Sequence, residues 1–177
     1  MNENPLVKFT MTYGLYLGIA FSVVVIIMKF AGITHHPGDS AGMINAILLS
    51  FGMMFFGKKY RDTIHEGLFL YKNALSFSVL LTLFSAIIYT FFSYFYYSSI
   101  EPSGISFYIE QMSLAYAQSG NFTDEQITAL VELYNNMLTP TMMAFIVFFS
   151  QALIGVLVGL IMAVFIKSPA SLEHNKF

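Results

Sequence analysis

The sequence has no cysteine and no tryptophan, and only 10% of its 177 residues are charged. Without cysteine there is no disulfide, no thiol nucleophile and no cysteine-held metal. The charged share is far below the roughly 25% of an ordinary soluble domain, and a hydrophobic fraction of 56% points the same way. Net charge is −2, so no general basic field exists to draw nucleic acid. The apolar residues are gathered into four long stretches, 9–30, 41–57, 74–97 and 141–166, and none carries a charge in its central part. About 20 apolar residues in a helix are enough to cross a bilayer. The first stretch exceeds the roughly 7–15-residue core of a signal peptide and no small-residue cleavage site follows it, so it reads as a retained span.

Basic residues are scarce and unevenly placed. Lys8 precedes the first stretch; Lys58, Lys59, Arg61 and Lys72 lie between the second and third; Lys167 and Lys176 follow the fourth. Lys29 is the exception. The long gap from 98 to 139 holds no basic residue but carries Glu101, Glu110, Asp124, Glu125 and Glu132. Positive charge is retained on the cytoplasmic side during insertion. The pattern predicts one all-α domain over 1–177, a bundle of four transmembrane helices in the inner (cytoplasmic) membrane with both termini cytoplasmic. Lys58, Lys59, Arg61 and Lys72 are then a cytoplasmic anchor facing anionic lipid. The second span is the shortest. Its apolar core, 41–56, reaches only ~24 Å at 1.5 Å per residue, against ~30 Å of hydrocarbon, so it must take residues from its ends. Tyr94, Tyr96 and Tyr97 close the third span, where headgroup-level tyrosines are expected.

The outer segment, 103–138, reads as a helical hairpin. Ile105, Tyr108, Ile109, Met112 and Tyr116 recur at helical spacing, and Ser119-Gly120-Asn121 breaks the pattern. Thr123-Asp124-Glu125-Gln126 is a capping box, with Phe122 and Ile127 placed for a hydrophobic staple. Ile127, Leu130, Val131, Tyr134 and Met137 then form one apolar stripe. The two stripes need cover from each other, from the membrane surface or from a partner.

Candidate chemistry is thin. Within the spans the costly polar residues are Asn45 and Gln151, expected to make intramembrane polar contacts between helices. Gly14, Gly18 and Ser22 on the first span, and Gly155, Gly159 and Ala163 on the fourth, form small-residue ridges that allow close helix packing. Matching depth suggests that these two spans touch each other, antiparallel. His35 and His36 with Asp39 suggest a metal, but adjacent histidines in a loop rarely bind the same ion and no further ligand can be placed near them. Arg61, Asp62, His65 and Glu66 form the densest titratable cluster, and a His–carboxylate pair can serve acid–base chemistry; a basic juxtamembrane segment accounts for the same residues with fewer assumptions. No catalytic, cofactor or metal residue is expected.

Lys58-Lys59-Tyr60-Arg61-Asp62, with Gly67, Tyr71 and Ala74 after it, resembles the signature of an uncharacterised bacterial multi-pass membrane family, domain of unknown function 4199. The likeness extends to Ile100-Glu101-Pro102, the Thr123–Gln126 helix start and Pro140, and so spans nearly the whole chain. It implies an inner-membrane protein and supplies no catalytic residues. The small first and large second outer loops resemble tetraspanins in topology only, since the cysteines of that outer loop are absent. The expectation for function is a non-enzymatic structural or partner-binding membrane protein, with the lipid bilayer and a protein at the outer hairpin as partners. The alternative is a subunit of a small oligomeric transporter or channel, with Asn45 and Gln151 lining its path.

Overall fold

A computed structural model of the chain describes residues 4–33 and 40–168. The His35–Asp39 turn and Lys176 lie outside the described residues. Six α-helices follow in order: α1 (Pro5–Phe30), α2 (Ser40–Ile64), α3 (Tyr71–Phe95), α4 (Ser103–Ser119), α5 (Asp124–Met137) and α6 (Pro140–Ile166). A π-helical turn, Tyr96–Ile100, extends α3, and there is no strand among the described residues. Helices α1, α2, α3 and α6 are long and apolar enough to cross a membrane.

Local chemistry sets the helix ends. Asn4 accepts from the Leu6 amide at 3.0 Å, ahead of Pro5. Thr139 does the same for Met142 at 3.2 Å, ahead of Pro140. Proline is suited to the first helical position because its missing N–H would find no partner there. At α5 the capping box closes in both directions: Thr123 Oγ1 accepts from the Gln126 amide at 3.3 Å, and the Thr123 amide donates to Gln126 Oε1 at 2.9 Å. Gly120 ends α4 at φ 68°, a left-handed position that costs glycine nothing.

Helix α2 solves its length problem by running on to Ile64, 25 residues in all, about 37 Å. Lys58, Lys59, Arg61 and Asp62 are therefore on its last turns and not in a loop. The connection to α3 is short, turning through positive φ at Glu66 (51°) and Gly67 (86°).

Helix α3 is the axis of the bundle. It packs extensively against α6 on one side and α1 on the other, while α2 closes the ring between α1 and α6. Ala74, Ser78, Thr82, Ser85 and Ala86 give it a buried small-residue stripe; the α6 glycine ridge lands on this stripe, and the α1 ridge lands beside it on Leu81, Phe84, Ser85 and Ile88. A Cβ on Gly14 would lie 2.6 Å from the Phe84 Cβ, and one on Gly18 would lie 2.8 Å from the Ser85 carbonyl oxygen. Gly155 lies on Thr82, and Gly159 has Ser78 Cβ 3.1 Å from where its own Cβ would stand. The expected contact between the α1 and α6 ridges is not formed; each meets α3 instead. The reason is that α3 hides its own small residues. Ser78, Thr82 and Ser85 satisfy their hydroxyls on their own helix carbonyls, at 2.9–3.0 Å, and so present methylene and methyl surface to the neighbouring backbones. In an apolar solvent such close van der Waals contact is the main source of helix association.

At one end of the bundle, Arg61 Nη1 donates to the Ile166 carbonyl at 3.1 Å, capping α6 from α2. Ser168 bridges the α2–α3 connection: its amide donates to the Phe69 carbonyl at 2.9 Å, and its hydroxyl donates to the Gly67 carbonyl while Ser168 Oγ accepts from the Phe69 amide. At the other end, Ile105, Tyr108 and Ile109 of α4 lie on the bundle. Helix α5 buries no residue and rests on α4. There Tyr116 and Tyr134 share a hydroxyl hydrogen bond of 3.1 Å, which pushes the Tyr134 phenol pKa up, and the Phe122 ring packs tilted against Tyr116 at 5.0 Å.

Candidate functional site

The unusual polar groups gather at the end where α2 and α6 begin and α3 finishes. On α6, residues four apart share a face, so Met143, Val147 and Gln151 form one row and Ile146, Ser150 and Ile154 the row beside it. Both rows, with Gly42 and Asn45 of α2, Tyr89 of α3, Tyr97 of the π turn and Tyr108 of α4, enclose a cavity of about 330 Å³. Asn45 and Gln151, 106 residues apart in sequence, thus line the same space.

They do not satisfy each other. Both amide atoms of Asn45, the amide nitrogen of Gln151 and the Tyr97 hydroxyl make no hydrogen bond of good geometry among the described residues, although the Tyr89 hydroxyl lies close enough to the Asn45 amide to interact with it. Asn45 is 1% exposed, Gln151 7% and Tyr97 1%. A buried polar group without a partner costs about 1–3 kcal/mol, and three on one cavity make a large penalty for a small bundle. Asn45 and Gln151 do not bond to each other, and the polar neighbour of Asn45 on another helix is Tyr89 of α3. Groups left in that state are open to a molecule inside the cavity.

Tyr97 is the member that sequence reasoning placed wrongly. Tyr94 is half-exposed as expected of a headgroup tyrosine, but Tyr96 and Tyr97 are buried. The π turn carries more residues per turn than an α-helix and shifts their register inward, and such turns recur at functional positions. Helix α4 then covers them. The run Phe91–Tyr97 gave only an aromatic-belt signal, and nothing local in it announces the π turn.

The other candidate residues lie elsewhere. Lys59 donates to the Tyr13 hydroxyl at 2.9 Å, and its ammonium stands 5.2 Å from that ring. Lys58 and Lys59 border an open groove with Phe51, Met54 and Phe55 on the side of α2. Arg61 is held by Asp62 at 2.7 Å and by the α6 terminus. His65 packs as an aromatic ring, 5.4 Å from Tyr60 and 5.0 Å from Phe69. Arg61 and His65 are therefore engaged in packing and capping, not gathered around a reactive point. Lys29, the basic residue out of place in the charge pattern, forms an ion pair with Glu101, which also accepts from Ser103, and lies 5.9 Å above the Tyr96 ring.

Four apolar helices wound on a small-residue axis, with a polar-lined cavity at one end and no charge in the helix centres, define a helical bundle of membrane-protein character. The family described as "Protein of unknown function (DUF4199)" matches residues 12–168, and the chain belongs to it. No curated protein and no solved structure matches the chain.

Proposed function

We propose that the protein is a non-enzymatic, four-span protein of the cytoplasmic membrane that works by binding a ligand in the cavity between α2, α3 and α6. The observation that carries this reading is the convergence on one pocket of the Asn45 amide, the Gln151 amide nitrogen and the Tyr97 hydroxyl, which make no hydrogen bond of good geometry among the described residues. Largely apolar pockets of about 300–1,000 Å³ with a few converging polar groups are the usual form of a small-molecule site. Among the described residues the lining offers no nucleophile with a base beside it, which covalent catalysis needs. The charge pattern puts both termini in the cytoplasm and makes α4 and α5 an outer helical hairpin roofing the cavity.

A transport path along Asn45 and Gln151 is less well supported. One and two turns further along α2, Leu49 and Met53 are fully buried, as is Leu81 on α3, so apolar packing follows directly below the cavity. A second reading has one observation in its favour. Helix α5 buries nothing, and Leu133 and Met137 are exposed on it, which suits a protein partner docking on the hairpin.

Mass spectrometry of the protein released intact from mild detergent tests the binding reading. A bound molecule on the wild type that is lost from the Asn45→Leu, Gln151→Met double variant supports it. No bound mass, or equal occupancy in both proteins, contradicts it.

A further inference from the structure

We infer that the cavity takes the uncharged, oxygen-bearing head of a lipid-like amphiphile that enters sideways from the bilayer; this rests on the binding reading above and adds the ligand's chemical class. Charge is the first criterion. Among the described residues no carboxylate, ammonium, guanidinium or imidazole lines the cavity, and with these an ionic head would be buried without a counter-charge, at a cost far greater than any hydrogen bond returns. The polar groups that do line it match neutral oxygens. The Asn45 and Gln151 amide nitrogens and the Tyr97 hydroxyl can all donate, and the Asn45 carbonyl accepts. Carbonyls and hydroxyls are the groups that answer such a set.

Shape is the second criterion. The Met143, Ile146, Val147 and Ile154 side of the wall is apolar. Ile146 and Ile154 are each 39% exposed on the outer flank of α6, so the wall of the cavity is continuous with the apolar exterior of the bundle. Phe149, Leu153 and Leu157 continue that exterior, at 66%, 63% and 56% exposed. A ligand with its head among Asn45, Gln151 and Tyr97 can therefore lay an apolar tail along α6 without crossing water. The volume of about 330 Å³ is at the small end of the roughly 300–1,000 Å³ of small-molecule pockets, room for a head and not a whole lipid. The ligand must extend out of it.

Two sources share this chemistry, a quinone with ring carbonyls and a glycerol-type lipid with ester carbonyls and a free hydroxyl. Purified full-length protein in mild detergent is titrated with decylubiquinone, with 1,2-dioctanoylglycerol and with dioctanoylphosphatidic acid, and Tyr fluorescence and thermal unfolding are followed. Saturable binding of at least one of the two neutral probes is expected, and which one binds identifies the source. Asn45→Leu and Gln151→Met should each weaken it roughly five- to tenfold, the loss of one hydrogen bond. Tyr97→Phe, which keeps the ring and the packing, should weaken it to a similar degree and guards against a folding artefact in the other two. Binding of phosphatidic acid as tight as that of the neutral probes overturns the ligand class but leaves the cavity as a binding site. Neutral binding unchanged in all three variants, or no binding of either neutral probe, also overturns the inference; the bound mass on the wild type separately decides whether the cavity is occupied at all.

Discussion

Gly14 and Phe84 lie so close that a side-chain carbon on the glycine would stand 2.6 Å from the Phe84 Cβ and 3.2 Å from the Leu81 carbonyl oxygen. One of these obstacles is backbone, so α1 cannot ride over it without moving bodily. Gly14→Val is expected to destabilise the bundle by about 1–3 kcal/mol through overpacking. Denaturation in mild detergent checks the value. Crosslinking checks the geometry. In this cysteine-free chain, a Gly18→Cys, Ile88→Cys pair should join within one molecule, and Gly18→Cys with Gly159→Cys should not.

Lys29 is paired with Glu101 across 72 residues. Glu101→Gln leaves a half-buried ammonium without its carboxylate, and a loss of about 1 kcal/mol is expected at low salt, shrinking as salt is raised. The orientation of the chain should not change, because Lys58, Lys59, Arg61 and Lys72 still lie at the opposite end. A thermal-unfolding series at rising ionic strength measures the first claim. A Glu101→Gln variant that inserts the other way round would refute the second.

Topology follows from the same charges. A cysteine replacing Gly120 should react with an impermeant thiol reagent in intact spheroplasts, and one replacing Thr63 should react only after lysis. The reverse pattern would invert the proposed orientation and place the cavity on the cytoplasmic side.

Thr123 closes both bonds of the capping box at α5. Thr123→Ala removes a cap worth about 0.5–2 kcal/mol. Faster amide exchange over residues 124–130 is expected, with the four long helices unaffected. Exchange that spreads into α6 would mean that α5 braces the bundle more than its contact with α4 alone suggests.

Much of this architecture is legible in the sequence because its signals are local. Four apolar runs give four helices, Thr123–Gln126 gives a cap, and the glycine ridges give faces of close approach. Partnership is a different matter. Depth matches the two ridges to each other, yet each meets α3: the α6 glycines on Ser78 and Thr82, whose hydroxyls are turned into their own backbone, and the α1 glycines on Phe84, Ser85 and Ile88. Helical serines of that kind have no local mark that separates them from exposed ones. Asn45 and Gln151 stood out as costly in hydrocarbon, but their convergence depends on how α2 and α6 rotate about α3. Tyr97 was hidden for a third reason: the π turn that aims it inward has no sequence signature, and the cover from α4 is non-local. The Thr139-Pro140 start of α6 was readable and follows the N-cap and proline rule.

The central claim is that the Asn45 amide, the Gln151 amide nitrogen and the Tyr97 hydroxyl face a ligand, and a structure of the purified protein in lipid nanodiscs, at a resolution that resolves side chains, tests it most directly. Non-protein density within hydrogen-bond distance of Asn45, Gln151 and Tyr97, continuing outward along Ile146 and Ile154, is the predicted result. A collapsed cavity in which the Asn45 and Gln151 amides bond to each other, with no density between the helices, would contradict it.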